Sequence, residues 1–159
     1  MAETFLIRPA TADDAEIIVG HRLAMFSEMG YRDTDALDAM CSAFRPWLIA
    51  RLRTREYLAW FAETADGTVA AGLGLWLMDW PPHMIGPGAP RGNIVNVYTI
   101  PQARRLGLAR RLMGTSLEWC RGNGIRAVIL HSSDDGRPLY QSLGFRPTNE
   151  MRLVLDPVE

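Results

Sequence analysis

The chain has 159 residues, of which 48% are hydrophobic and 22% are charged, and its formal net charge at pH 7 is −1. This length suits one domain with a core that needs no disulfide or metal to stabilise it, and the composition is typical of a globular protein. A nearly neutral chain has no overall field to attract a polyanion, which argues against nucleic acid as a partner.

The residue types exclude several further kinds of chemistry. All 17 basic residues are arginines, so no lysine is available for Schiff-base or general-base catalysis. Cys41 and Cys120 show no metal-ligand spacing, and we predict two reduced cysteines and no metal site. The start of the chain lacks a secretory pattern, and its longest apolar run, residues 69–78, is too short to span a membrane. We therefore expect a single cytoplasmic domain over residues 1–159 with no membrane partner.

The first half of the chain predicts a strand, two helices and a hairpin. Thr11 and Asp14 have the spacing of a capping box that opens a helix. Pro46 either kinks the second helix or divides it in two. Asp66-Gly67 is a turn signal between the two hairpin strands. In chain order, the elements are a strand at 5–8, a helix from Thr11 to near Gly30, a helix at 35–52, and strands at 57–64 and 68–78.

Residues 79–92 are too rich in turn formers for regular structure, with four prolines and three glycines in fourteen positions. Connections this long are often lids or binding loops, although a solvated loop without a function is an equally good interpretation.

The second half alternates strands with helices. Its predicted elements are strands at 93–99, 127–130 and 151–155, and helices at 104–121 and 138–143. The whole order predicts a mixed α/β or α+β sheet with helices on its faces.

A glycine-bearing loop joins the strand at 93–99 to the next helix. The N-terminus of a helix presents unpaired N–H groups and the positive end of the helix dipole, which together suit an anion. Gly107 and Ala109 would let the main chain approach a ligand closely. Arg104 and Arg105 are disfavoured there by about 0.3–1 kcal/mol each unless an anion offsets them. The loop therefore predicts a site for a phosphate-bearing molecule.

Two motifs carry a resemblance to a known family. The run from Arg104 to Ala109, preceded by Pro101, resembles the acyl-CoA motif Gln/Arg-x-x-Gly-x-Gly/Ala of the GCN5-related N-acetyltransferases (GNAT superfamily). The segment Leu139 to Phe145 resembles the later Tyr-x-x-x-Gly-Phe segment of that family, and the expected elements lie between the two motifs. The resemblance implies a mostly antiparallel sheet of six to seven strands, with a splayed parallel pair in the centre and helices on both faces.

The resemblance also implies acetyl-CoA as the acyl donor and assigns residues to it. The strand residues expected along the pantetheine arm are Val97, Tyr98 and Thr99. The loop residues expected at the pyrophosphate are Arg104, Arg105, Leu106, Gly107, Leu108, Ala109 and Arg110. Ser133 falls where many members have an asparagine that contacts the cofactor.

Catalysis in such an enzyme needs a donor for the leaving thiolate and an oxyanion site. The resemblance implies that Tyr140 is the general acid, although a tyrosine packed on the sheet is the structural alternative. Asn93 stands where several members carry a glutamate, and an amide cannot act as a base. Asn96 lies inside an apolar strand, so it either meets a buried partner or faces the substrate.

The general base and the acceptor site are less defined by the sequence. The candidate bases are Glu28, Asp79, His83, His131, Asp134 or a water relay. We expect the amine to enter between the first two helices and the loop at 79–92, with Glu28, Trp80 and His83 as candidate substrate contacts.

The leading interpretation is an acetyl-CoA-dependent N-acetyltransferase acting on a primary amine of a small molecule or peptide. The resemblance leaves the oligomeric state open, with a homodimer as one expected form. A CoA-binding regulatory or interaction module without catalysis is the alternative. A basic helix that binds nucleic acid or membrane is disfavoured, because the arginines cluster at one end of the helix and not along one face.

Overall fold

The structure of the chain is a computed structural model that describes residues 2–156. Five strands and four helices make up this part of the chain. In chain order they are β1 (Leu6–Pro9), α1 (Ala15–Glu28), α2 (Thr34–Thr54), β2 (Tyr57–Glu63), β3 (Val69–Met78), β4 (Arg91–Thr99), α3 (Leu108–Gly122), β5 (Val128–Leu130) and α4 (Arg137–Ser142).

The strands form one sheet in the order β1-β2-β3-β4-β5. The first three pairings are antiparallel and the pairing of β4 with β5 is parallel. The mixed α/β class with a parallel pair is therefore confirmed, although the sheet has five strands within residues 2–156 and not the six or seven expected.

Helices cover both faces of this sheet, as the alternation along β2 shows. Leu58 and Trp60 belong to one buried cluster, which they share with Leu112 of α3. Tyr57 and Phe61 point to the opposite face and pack in a second cluster, under α1 and α2. Two cores separated by the sheet thus hold the helices in place.

The boundaries of three elements are set by particular residues. The predicted capping box is present at Thr11, but a short 3₁₀ turn precedes α1. Pro46 does not divide α2, which is one helix whose buried residues include Leu37 and Leu48 on either side of the proline. Helix α3 begins at Leu108, four residues later than predicted, because Gly107 adopts a left-handed conformation just before it. None of the helices in the described part of the chain is long and apolar enough to cross a membrane.

The strand predicted at residues 151–155 is wrong. The alternating sequence has the pattern of a strand, but these residues make no ladder in the structure and their side chains are exposed. Met151 and Leu155 are 93% and 80% exposed. A strand forms only where a neighbouring backbone accepts its hydrogen bonds, and apolar alternation alone does not supply that neighbour.

Two glycines in β3 make room for polar side chains on the α1 and α2 face. A Cβ on Gly74 would lie within 2.5 Å of Cζ of Tyr57 and would overlap its hydroxyl group. A Cβ on Gly72 would lie 2.9 Å from Nδ1 of His21. The Gly-x-Gly spacing therefore allows His21 and Tyr57 to pack directly on the backbone of β3.

We expect Gly74→Ala to lower the free energy of unfolding by about 2–3 kcal/mol, because Tyr57 is fully buried and cannot retreat from the new methyl group. Gly114→Ala in α3 is the control, since no atom lies within 4 Å of its added Cβ. That change should be neutral or stabilise by about 0.5–1 kcal/mol. Urea unfolding checks both values, and equal effects at the two positions would contradict the packing argument.

Candidate active site

The parallel strands β4 and β5 separate about halfway along β4. Their pairing runs from Gly92 with Val128 to Ile94 with Leu130 and stops there. Of the remaining residues of β4, Val95, Tyr98 and Thr99 stay paired with β3, and residues 95–99 have no strand partner on the β5 side within residues 2–156. This half of β4 offers unpaired backbone groups that a ligand can bind as an added strand would.

A bulge lies within this splayed half of β4. Gly74 pairs with Val95 and Gly72 with Tyr98, so two residues of β4 oppose one of β3. Asn96 has a φ of 54° at this point. A bulge inserts an extra residue into one strand. This residue stays unpaired, and the strand bends there and redirects its side chain. Asn96, predicted as a catalytic residue, is therefore at the point where β4 changes direction.

The side chain of Asn96 connects two other elements. Its Nδ2 donates to the hydroxyl oxygen of Tyr57 at 3.0 Å, and its Oδ1 accepts from Nη1 of Arg22 at 2.8 Å. Burial raises the pKa of Tyr57, which is therefore a neutral phenol at physiological pH. The asparagine thus has a buried partner and, in addition, a link to α1. Sequence reasoning missed Tyr57 and Arg22; the arginine within the apolar stretch of α1 was the available signal.

Asn93, the second predicted catalytic asparagine, is buried on the half of β4 that is paired on both sides. Its Nδ2 lies 3.5 Å from Sδ of Met78, a weak acceptor. Its Oδ1 is buried and has no hydrogen-bond partner among the described residues. An amide oxygen in this position can accept a hydrogen bond but cannot act as a base that removes a proton.

His21 of α1 lies against the splayed half of β4, although the sequence did not single it out. Its ring centroid is 5.2 Å from that of Tyr98. Burial lowers the pKa of His21 from 6.5 to about 4, so the imidazole is neutral at pH 7. Together with Tyr57 and Asn96 it lines a small internal cavity beneath the bulge.

The buried imidazole predicts acid sensitivity of the fold. Between pH 6.5 and 4 the unfolded chain binds a proton at His21 that the folded chain does not, so stability rises with pH in this window. We expect the free energy of unfolding to fall by about 2–3 kcal/mol between pH 7 and pH 4 from this group. Urea titrations across that range should show a shallower loss for His21→Gln; an identical loss in the variant would contradict the assignment.

In the loop before α3 and the first turn of that helix, the N–H groups of residues 105–110 make no hydrogen bond to a described residue. Arg105 and Gly107 have φ values of 65° and 76°. The first hydrogen bond of the helix runs from the N–H of Arg111 to the carbonyl of Gly107, and no side chain caps Gly107. The N–H groups of residues 108–110 therefore lack acceptors within the helix, as an anion site requires. Leu106 is half exposed and Leu108 is buried, which fixes the loop on the core.

The side chain of Arg104 is held by contacts with Glu28 and Thr99. Its Nη2 lies 2.7 Å from Oε2 of Glu28, and its Nε donates to the carbonyl of Thr99 at 3.0 Å. Tyr98 also donates its hydroxyl proton to Glu28 at 3.0 Å. The predicted residues Glu28, Tyr98, Thr99 and Arg104 are thus in one cluster, which ties the end of α1 to β4 and the loop.

Tyr140 belongs to α4, which is connected to the start of α3. Nη2 of Arg110 donates to Oγ of Ser142 at 2.7 Å. The Tyr140 ring packs edge-on against Phe145, and its hydroxyl group makes no hydrogen bond within residues 2–156. Burial raises the pKa of Tyr140, which keeps the phenol protonated. Ser133 precedes this helix, where its Oγ accepts from the N–H of Gly136 at 3.1 Å.

A cavity of about 370 Å³ lies on the other side of β5, between that strand, α4 and the segment 145–152. Tyr140 lines it, together with His131 and Glu150, whose side chains lie 3.5 Å apart. The loop at Gly107 does not contribute to this cavity. The cavity is therefore a second location, separate from that loop, where a ligand could bind.

Trp80 and His83 lie at the opposite end of β4 from Tyr98. The guanidinium carbon of Arg91, the first residue of β4, is 3.6 Å from the centre of the Trp80 ring. Nδ1 of His83 accepts from the N–H of Ile85 at 3.0 Å. Arg91 and Thr99 are eight residues apart, about 26 Å in a strand, so Trp80 and His83 lie near the end of β4 that is remote from the loop following Thr99. They are therefore not part of the cluster around the bulge.

Comparisons with known proteins agree with this geometry. A family model described as "Acetyltransferase (GNAT) family" matches residues 22–145. A crystal structure of a GCN5-related N-acetyltransferase from Ralstonia eutropha is 38% identical, with a TM-score of 0.88, and the match covers 96% of this chain and 99% of that one.

Two curated proteins are similar over part of their length. A mycothiol acetyltransferase from Thermomonospora curvata is 32% identical over 62% of this chain and 33% of that protein. A glucosamine 6-phosphate N-acetyltransferase from Trypanosoma brucei brucei is 31% identical over 60% of this chain and 63% of that protein. The chain thus spans a third of the first and less than two thirds of the second. The family model, which covers most of the chain, shows that it belongs to the acetyltransferase (GNAT) family.

Proposed function

We propose that the protein is an N-acetyltransferase that transfers the acetyl group of acetyl-CoA to a primary amine of a small molecule or peptide. The observation that carries this proposal is the splayed, bulged half of β4 connected to the uncapped N-terminus of α3. The first feature suits an extended arm with amide groups, and the second suits the phosphates of the same molecule.

The residues of these two features would hold acetyl-CoA. The backbone of Val97, Tyr98 and Thr99 would pair with the pantetheine arm, because β5 leaves that side of the strand open. The N–H groups of residues 106–110 would bind the pyrophosphate. Arg105 and Arg110 can add positive charge there, whereas Arg104 already pairs with Glu28. A contact from Ser133 is also part of the proposal.

The proposed reaction is a direct transfer without a covalent enzyme intermediate. The amine nitrogen forms a bond to the acetyl carbon, the carbon–sulfur bond breaks, and the sulfur leaves with the electron pair. Backbone N–H groups released by the bulge at Asn96 would stabilise the oxyanion on the acetyl oxygen. Tyr140 would donate its hydroxyl proton to the leaving sulfur.

The amine must react as the free base, and Asn93 cannot deprotonate it. Glu28 is the candidate base that contacts the splayed half of β4, through Tyr98. Its Oε2 lies 2.7 Å from Nη2 of Arg104, which holds the carboxyl group beside this part of the strand. Asn93 would instead accept a hydrogen bond from the amine and orient it.

Release of CoA thiol in the presence of acetyl-CoA and a panel of amines, amino acids, amino sugars and short peptides tests the function. We expect release that depends on the acceptor, with a matching acetylamide product by mass spectrometry. Saturable binding of acetyl-CoA without release for any acceptor would contradict the enzyme and favour the regulatory or interaction module.

A further inference from the structure

Arg22 is held next to the bulge of β4 by its own hydrogen bond and by two aromatic rings. Nη1 donates to Oδ1 of Asn96 at 2.8 Å. Its guanidinium carbon lies 5.0 Å from the ring centre of Phe26 and 4.7 Å from that of Phe44. These contacts fix the plane of the guanidinium group, but no carboxylate of residues 2–156 compensates its positive charge.

Several half-buried or exposed arginines of the chain have carboxylate partners, whereas the half-buried Arg22 has none among the described residues. Arg8, Arg45 and Arg104 pair with Asp14, Glu16 and Glu28, respectively. Burial lowers the pKa of Arg22; Tyr57 and Cys41 oppose that effect, but no carboxylate does. A guanidinium group remains protonated even so, and a partly buried charge without a counter-ion is unfavourable unless a ligand supplies one.

The hydrogen-bond donors of Arg22 also remain incomplete. Its Nε is buried without a partner, and its Nη2 makes no hydrogen bond to a described residue. Because Nη1 is the nitrogen bonded to Asn96, the two remaining nitrogens lie on one edge of the planar group. Two parallel N–H donors on one edge match the two oxygens of a carboxylate or phosphate, which would displace the side chains that cover Nε.

A hydrogen-bond acceptor that complements Arg22 lies on β4, the strand that also carries Asn96. Oδ1 of Asn93 is the other buried side-chain atom without a partner in the described part of the chain. Asn93 is two residues from Val95, which packs in the cluster under α1 and α2. Alternate residues of a strand share a face, so Asn93 faces the same side of the sheet as Arg22. An unpaired cation and an unpaired amide oxygen on one face suit a molecule with both an anion and an amine.

We propose that Arg22 binds an anionic group, carboxylate or phosphate, of the acceptor and so restricts the substrates to amines that carry such a group. This inference rests on the proposed acetyltransferase function and names the substrate class of the same site. Arg22 is a specificity-determining residue in this scheme, with Asn96 holding its guanidinium group and Asn93 accepting from the amine.

Matched pairs of acceptors test the inference: phenylalanine against phenylalaninamide for a carboxylate, and phosphoethanolamine against ethanolamine for a phosphate. We expect kcat/KM to be about 10- to 100-fold higher for the charged member of at least one pair. Whichever pair shows the larger ratio identifies the anion.

Variants separate recognition of charge from support of the fold. Arg22→Met should reduce the charged-to-neutral ratio to about one, mainly through KM of the charged acceptor, and this ratio is the readout because the variant also removes the hydrogen bond to Asn96. Arg22→Lys keeps the charge but not the paired donors, so it should retain part of the ratio. Arg45→Met removes an arginine from the surface of α2 and should keep the full ratio.

The experimental outcomes that contradict the inference can be told apart from those that contradict the proposed function. Equal kcat/KM for charged and neutral acceptors, or a ratio that survives in Arg22→Met, would overturn the role of Arg22 and leave the acetyltransferase function intact. A proportional loss for both members of a pair in both Arg22 variants would make the residue structural and overturn the inference. Binding of acetyl-CoA without turnover of any amine would overturn the proposed function itself.

Discussion

Tyr140→Phe is expected to lower the turnover of acetyl transfer by a factor of about 100 or more. The change removes only the hydroxyl group, which makes no hydrogen bond to a described residue, and keeps the ring that packs on Phe145. The raised pKa of Tyr140 keeps the phenol protonated, so the wild-type enzyme has a donor for the leaving sulfur throughout the neutral range. Initial rates at saturating acetyl-CoA and acceptor measure the effect.

The magnitude of that effect depends on the relative acidities of the two groups. A thiol has a pKa near 8.5 and a phenol near 10, so complete proton transfer from Tyr140 to the thiolate is uphill. The phenol would therefore first stabilise the charge that develops on sulfur by a hydrogen bond, and transfer of its proton to sulfur would be completed as solvent reprotonates the phenolate. Tyr31→Phe is the control, because Tyr31 is largely exposed and its ring contact with Phe26 survives the change. Equal rates for wild type and Tyr140→Phe would remove this residue from the mechanism.

Gly107→Glu is expected to abolish acetyl-CoA binding. The substitution introduces a side chain at the position whose backbone begins α3, and its carboxylate would repel phosphates and occupy the N–H groups of the first turn. Repulsion and loss of several charge-assisted hydrogen bonds should weaken binding at least 100-fold. Calorimetric titration with acetyl-CoA measures the dissociation constant.

Gly124 provides a matched control at the other end of α3. It has a φ of 74°, against 76° for Gly107, and no atom lies within 4 Å of an added Cβ at either position. Glutamate should therefore strain the backbone similarly at both positions and lower the melting temperature by a similar amount. Only Gly107→Glu should lose the ligand. Wild-type affinity in Gly107→Glu, or an equal loss of affinity in Gly124→Glu, would contradict a phosphate site at this loop.

Local patterns predicted most of the fold. The capping box at Thr11 and the turn at Asp66-Gly67 are short-range features, and both are present. The start of α3 was predicted too early because the helical periodicity of the sequence extends back through the loop. In the structure Gly107 has a left-handed conformation, and the helix begins only after it. The strand at 151–155 failed for a different reason, since its formation depends on a partner that periodicity does not report.

The candidate site was only half accessible to sequence reasoning. The loop at Gly107 and the helix of Tyr140 are contiguous segments, and their motifs could be recognised along the chain. The contact between Arg22 and Asn96 joins residues 74 positions apart, and no local pattern encodes it. The bulge that turns Asn96 was equally hidden, because a single residue out of register leaves the apolar pattern of β4 almost unchanged.

The location of acetyl-CoA tests the account most directly, and backbone amide signals in a ¹H–¹⁵N NMR titration report it residue by residue. We predict saturable shifts concentrated at residues 97–99 and 106–110, with smaller shifts at the cavity between β5, α4 and the segment 145–152. Shifts concentrated on that cavity, with the loop at Gly107 unaffected, would contradict the account.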